Sequence, residues 1–583
     1  MRVTRKTIGI FAAIVAVALA VLGFEVAKLR AELAVATASG TPAETPAPDL
    51  TTHAPRPATY SNIYRYDYVG PETCAKCHTQ KYETWRSHPH AKMNRNVNAD
   101  TVVGDFSGRR LEYGGGAVVF AKGLGELTMT IYDGGKFVRQ HRVTRVVGSR
   151  FVQMYVGVQT QGPEPPDDAV YTREVKLPFS YWIARDEWFP ETYDEAPDAP
   201  EYDATGKLTA GYRFTEPMKR EWQMSCIKCH NTYPYVRRFE SSLDTKLVGF
   251  PETDVSLKNV ATTLKPPSRR WELDSSELVT LGISCESCHF GGREHATKGA
   301  AISFLPRSQD LDFPKATPEL AENARREPYV IDNICGQCHT AKTPGPTFPN
   351  GAASWNSREA RDLQAGACAS KIMCTSCHDP HVAGPTRADA PASQKELASC
   401  TGCHAKYAAP AAATAHTKHD ASVTCLDCHM PRIVHGLGGM IRTHRISSPT
   451  DARMLRGEWP NACNACHLDR SARWTVAQLT DKWNAKIDLG GWQPSDEPMG
   501  KRWLAHREAV VRAAAVDFYS RTKLGKGALP DLLPILEDPS PPARMFGLLA
   551  IERIVGRRID EHEYTPWAAP DVRKKQAHAL AEK

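Results

Sequence analysis

The chain has 583 residues, long enough for several domains, with 41% hydrophobic residues, 24% charged residues and a formal net charge of +7. A positive balance of that size ordinarily points to an anionic partner. Sixteen of the seventeen cysteines fall in one repeated pentapeptide, Cys-x-x-Cys-His. That repeat excludes a disulfide framework of varied spacing and, because a histidine follows every second cysteine, a zinc ribbon.

Residues 1–6 form a basic flank, 7–24 an apolar run, and 25–58 a helical extension followed by a Pro/Ala/Thr-rich linker. A basic flank before an apolar stretch fits a secretory signal or a signal anchor. The nearest small-x-small site, Ala34-Val-Ala36, lies well beyond the run, so an uncleaved single-pass transmembrane anchor is expected. Positive-inside bias then puts the remainder on the periplasmic side of a bacterial inner membrane. The linker reads as a solvated tether.

A first segment, 59–100, carries Cys74-Ala-Lys-Cys77-His78. In the β-rich insert of 101–200, apolar and polar residues alternate between Leu111 and Val158, as in Leu127-Thr-Met-Thr-Ile-Tyr132 and Phe137-Val-Arg-Gln-His-Arg-Val143. Glycine pairs punctuate the runs, so a small antiparallel sheet is predicted. Residues 201–480 hold seven further motifs: Cys226/Cys229/His230, Cys285/Cys288/His289, Cys335/Cys338/His339, Cys374/Cys377/His378, Cys400/Cys403/His404, Cys425/Cys428/His429 and Cys463/Cys466/His467. From 374 onward neighbouring motifs are too close for independent domains, so the last four should share one packed stack. In 481–583 cysteine disappears; Trp503 to Arg521 and Leu529 to Val555 read as amphipathic helices, the second interrupted at Asp538-Pro-Ser-Pro-Pro542. The run 528–550 resembles a HEAT repeat, which implies either a helical cap over the last motif or an arm that docks a protein partner.

Cys-x-x-Cys-His is the covalent attachment signature of c-type haem: two thiols bond the porphyrin and the histidine ligates iron. Eight motifs predict eight haems (iron), numbered here as sites 1 to 8 in chain order. Their propionates would cancel the positive balance, so nucleic-acid binding is not supported. The expected fold class is a mainly α and irregular multihaem cytochrome c fold wrapped around stacked haems, with the small β insert and the α-helical C-terminal region.

The stretch Tyr68-Val-Gly-Pro-Glu-Thr-Cys74 through Trp85-Arg-Ser-His-Pro-His-Ala91 resembles the opening of cytochrome c554-like multihaem proteins. That resemblance implies a distal iron ligand at His90, with His88 as competitor. Gly282-Ile-Ser-Cys-Glu-Ser-Cys-His289 with Arg293-Glu-His295-Ala is similar to the same superfamily, which implies a ligand role for His295. Cys374-Thr-Ser-Cys-His-Asp-Pro-His381 resembles the doubled CxxCH cytochromes. Cys425-Leu-Asp-Cys-His-Met-Pro431 with Thr443-His444-Arg-Ile looks like the large periplasmic multihaem cytochromes. No motif has lysine in place of its histidine, as the pentahaem ammonia-forming nitrite reductases do at their catalytic haem.

Iron with two histidine ligands shuttles electrons, whereas iron with one leaves a site where a small molecule can bind. Thirteen histidines lie outside the motifs. His88, His90, His295, His381, His416, His419 and His444 are the better ligand candidates. His435 is a weaker one, His141 reads as a strand residue, and His53, His506, His562 and His578 read as solvent-exposed. Met93, Met373, Met430 and Met440 are within sequence reach of motifs, with core packing the preferred reading. Cys368 is the one thiol outside the repeat and reads as a small buried residue. An electron carrier is expected, working between redox partner proteins, a quinol-linked or periplasmic donor and an acceptor. The alternative is a reductase or oxidoreductase of a small nitrogen or sulfur compound at one five-coordinate haem, with no nameable catalytic residues.

Overall fold

A computed structural model describes residues 60–191, 201–239, 249–258, 275–340, 347–385, 390–456 and 459–582. The anchor and tether expected over 1–58 lie outside them. Among the described residues no helix is long and apolar enough to cross a membrane.

Residues 94–190 build an antiparallel sheet of nine strands: β1 (Asn94–Asn96), β2 (Ser107–Tyr113), β3 (Gly116–Gly123), β4 (Glu126–Asp133), β5 (Lys136–Val147), β6 (Val152–Gln161), β7 (Val175–Lys176), β8 (Phe179–Trp182) and β9 (Glu187–Pro190). The order is β2-β3-β4-β5-β6-β8-β9, with β1 pairing on β5 and β7 on β6. The predicted alternating segments fall in β4 and β5. Tyr113 pairs with Gly116 and Asp133 with Lys136, so each hairpin closes in two residues. Those residues are Gly114-Gly115 and Gly134-Gly135, all with positive φ, as a tight turn matched to strand twist requires.

The insert is larger than the small sheet expected. Every residue of β8 and β9 is buried, so these strands carry no polar alternation by which the sequence could announce them. Cross-strand pairs Val118 with Ile131 and Phe120 with Met129 fill one face. Phe120 stacks on Trp188 at 3.7 Å, and Phe106 meets the same indole edge-on at 5.1 Å.

The C-terminal region folds as helices Met499–Leu504, Ala509–Ser520, Gly525–Leu532, Pro541–Val555 and Pro570–Ala581. The single helix expected over 503–521 is divided at 505–508. The break expected at 538–542 is present, and Pro541 opens the next helix, where a missing N–H costs nothing. These helices neither stand free as a docking arm nor merely cap the last motif. Buried residues from all faces of 509–520 and 541–555 join the hydrophobic core of the sheet, because helices apolar around most of their circumference must be covered. Phe189 meets Trp567 at 6.4 Å, and Arg185 pairs with Glu552.

Between the sheet and this helical region the described helices are short, the longest before the last motif being Pro328–Gly336 at nine residues. Two-stranded ladders tie distant motifs together. Residues 231–232, directly after His230, pair with 280–281, directly before motif 3.

Candidate haem-attachment sites

Each motif closes a helical turn. The amides of His78, His289, His378 and His404 donate to the carbonyl of their first cysteine at 2.9 Å, and those of His230, His339 and His467 at 3.1, 3.0 and 3.0 Å. Cys425–His429 is itself a short helix. A turn of this kind sets positions i, i+3 and i+4 on one side, so two thiols and one imidazole face the same way. All seventeen cysteines are free of disulfides.

Five motif histidines face a non-motif histidine at nearly constant separation. Ring centres are 6.1 Å apart for His78 and His295, 6.3 Å for His289 and His381, and 6.2 Å for His378 and His444. The separations are 6.5 Å for His429 and His416 and 6.0 Å for His467 and His419. Two collinear metal–imidazole bonds of about 2 Å, with roughly 1 Å more from each nitrogen to its ring centre, also span about 6 Å. The spacing therefore fits one iron between each pair.

Hydrogen bonds at Nδ1 leave Nε2 of these rings available to a metal. His295 Nδ1 lies 2.7 Å from the Ala300 carbonyl, His419 Nδ1 2.6 Å from that of Thr417, and His429 Nδ1 2.9 Å from that of Ser447. A carbonyl only accepts, so the proton sits on Nδ1 and the Nε2 lone pair faces outward. His339 Nδ1 makes the same kind of bond to the Glu359 carboxylate at 2.9 Å. His416 is held differently: its carbonyl accepts from the Trp483 indole at 2.7 Å, and its ring stacks on Tyr407 at 4.3 Å.

The same logic separates His88 from His90. His88 Nδ1 accepts the backbone N–H of His90 at 3.0 Å, which places the His88 proton on Nε2 and removes that nitrogen as a ligand. His90 lies within electrostatic reach of His339, and burial, with the His88 and His339 charges, pushes its pKa down to about 3. Its backbone is fixed, since the Ile283 amide donates to the His90 carbonyl at 2.9 Å. Gly282 makes that approach possible: it adopts φ +77°, and a Cβ there would sit 2.4 Å from the Ala91 carbonyl oxygen.

Cysteines of different motifs meet and so order the sites. Cys74 is hydrogen-bonded to Cys285, Cys229 to Cys338, Cys335 to Cys374 and Cys400 to Cys425. Cys288 lies in the electrostatic range of Cys335 and Cys338, Cys400 in that of Cys377, and Cys463 in that of Cys428. The contacts trace a row, 1-3-4-5-6-7-8, with site 2 joined to site 4. The four closely spaced motifs are consecutive in it.

The two cysteines of motif 6 differ in exposure. Cys403 is exposed, whereas its partner Cys400 is half-buried. The helix Gln394–Thr401 ends between the two, and the turn that follows carries Cys403 and His404 out to solvent. The thiol that Cys403 reaches electrostatically is Cys368, outside the repeat. Site 6 is thus joined to the row through Cys400. Cys77 and Cys466 are exposed too, in the motifs at the two ends of the row.

The remaining histidines are placed elsewhere. His141 is buried in β5, and His435 is packed between Trp355 at 5.0 Å and Phe546 at 4.4 Å. His506, expected to be exposed, is half-buried against Trp459 because residues 505–508 fold back between two helices. Its Nδ1 accepts from the Glu508 amide at 3.1 Å. His562 and His578 are exposed, and His53 lies outside the described residues. Met440 is fully buried in the core, and Met373 packs on the cluster around Ile334. Burial pushes the Cys368 thiol up, away from thiolate character. Sequence reasoning missed Glu359 and Trp483, which no local pattern ties to a motif.

Residues 411–489, covering motifs 7 and 8 with His416, His419 and His444, match the family model for cytochrome c552. Residues 73–105, covering motif 1 with His88 and His90, match that for cytochrome c554 and c-prime. Both matched models describe cytochromes c, and together they cover less than half of the chain. No curated protein matches the chain. Among solved structures, the outer cell wall cytochrome OcwA aligns over 84% of this chain and 100% of its own, at 15% identity and a TM-score of 0.37.

Proposed function

We propose that this chain is a multihaem c-type cytochrome that carries eight covalent haems and relays electrons between a respiratory donor and an acceptor protein outside the cytoplasm. The observation that carries the reading is the continuous row of cysteine contacts from motif 1 to motif 8, which holds every attachment site beside another. Bound at these sites, haem iron supplies reversible one-electron chemistry. The chain's own task is placement. Its thiols pin each macrocycle against the next, and His295, His381, His444, His416 and His419 close the positions opposite His78, His289, His378, His429 and His467. His90 serves site 4 opposite His339. The basic flank and apolar run at 1–24 support export and an N-terminal anchor.

Two measurements test the reading. Mass spectrometry of denatured, acetone-extracted protein should show eight retained haems, and low-temperature EPR should show mostly low-spin ferric iron. Fewer than eight haems, or high-spin iron at most sites, would defeat it.

A second reading is favoured by the surface at site 6. Cys403 and His404 are exposed, and among the described residues the facing histidines assigned above serve sites 1, 3, 4, 5, 7 and 8, not site 6 or site 2. Histidine ligation from one side only would let a small nitrogen or sulfur compound reach that site. A high-spin EPR signal that is lost in His404→Ala, with turnover on nitrite, hydroxylamine or tetrathionate, would establish it. An entirely low-spin spectrum would remove it.

A further inference from the structure

We infer that Glu359 is a positioning residue for site 4: its carboxylate, accepting the Nδ1–H of His339, strengthens that imidazole as an iron ligand and lowers the reduction potential at the branch of the row. The inference rests on the relay reading above and deepens it.

Glu359 opens the helix Glu359–Gln364 directly beside motif 4. One carboxylate oxygen, Oε2, lies 2.9 Å from His339 Nδ1, and the other, Oε1, accepts the Ser357 amide at 2.8 Å. The Ala360 amide donates to the His339 carbonyl at 3.2 Å. Motif histidine and helix start therefore grip each other through both side chain and backbone, leaving the carboxylate little freedom to turn away. The corresponding Nδ1 bonds of His295, His419 and His429 all go to neutral backbone carbonyls. Asp379 lies 3.7 Å from His381 Nδ1, beyond hydrogen-bond range. Among the described residues Glu359 is thus the one carboxylate hydrogen-bonded to a histidine that faces a haem site.

A charged acceptor pulls the Nδ1 proton harder than a neutral one and raises the basicity of the bonding nitrogen. A more basic ligand favours ferric over ferrous iron, so the potential falls. Position makes the effect consequential, since the cysteines of site 4 meet those of sites 2, 3 and 5. The Glu359 charge also reaches His378 and His444 at site 5.

The test is a redox titration of the full chain, followed optically and by low-temperature EPR, for wild type, Glu359→Gln and Glu359→Asp. Glutamine keeps an acceptor but removes the charge, so one midpoint should rise while haem content and the number of low-spin irons stay the same. Aspartate should return that midpoint toward wild type. Unchanged midpoints in the glutamine variant, or haem loss with no midpoint shift at the remaining sites, would overturn the inference and leave Glu359 a packing residue. Failure of the relay reading is a separate result, seen in wild type itself as missing covalent haem.

Discussion

His88 and His90 are two residues apart and of one chemical type, yet the structure sets them in different surroundings. His88 spends Nδ1 on the backbone of His90, and His90 is turned toward site 4. His90→Ala should therefore convert one low-spin iron to high spin in EPR, while His88→Ala should leave the spin count unchanged; equal effects would refute the assignment. His435 makes a different prediction. Burial pushes its pKa down to about 3, whereas an unfolded chain titrates it near 6.5. Between those values the unfolded chain binds more protons, so the stability held above pH 6.5 is lost as pH falls toward 3, at up to about 1.4 kcal/mol per unit. Denaturant melts across that window should be flatter in His435→Phe than in wild type.

At the scale of elements, the join between sheet and C-terminal helices depends on a buried charge cluster. Arg544, 0% exposed, pairs with Glu201, which also accepts from Tyr113 at 2.8 Å and from Arg573 at 3.2 Å. Removing the carboxylate leaves two guanidiniums buried without their counter-charge. Glu201→Ala should cost about 3–5 kcal/mol in equilibrium unfolding. A loss under 1 kcal/mol would mean that the carbonyls of Asp538 and Pro566 suffice to hold Arg544.

For the whole molecule, sheet and helices share one hydrophobic core while motif segments run between them. A chain ended at residue 480 would uncover Phe189, Pro190 and Glu201. It should aggregate or bind apolar dyes, with reduced haem yield; a monomeric truncated protein that melts like the full chain would show that the helices are dispensable. The short ladder 231–232 with 280–281 and the Glu286 carboxylate, which accepts the amides of Val69, Gly70 and Gly292 at 2.8–2.9 Å, bring motifs far apart in sequence together.

The sequence by itself determined the chemistry, because haem attachment is written in five consecutive residues and needs only one helical turn. It also marked the hairpins with Gly-Gly pairs and the helix break with prolines, signals that act within a few residues. Only the tertiary structure decided which histidine faces which motif, that site 2 joins the row at site 4, that Cys403 turns out to solvent while Cys400 turns in, and that Glu359 holds His339. Those pairings span long stretches of chain, 217 residues between His78 and His295, and depend on how loops and ladders close in space. The full extent of the sheet was hidden for a related reason: β8 and β9 are four residues long and buried on both faces, with a single polar residue each, so the two-residue period that would reveal them is absent.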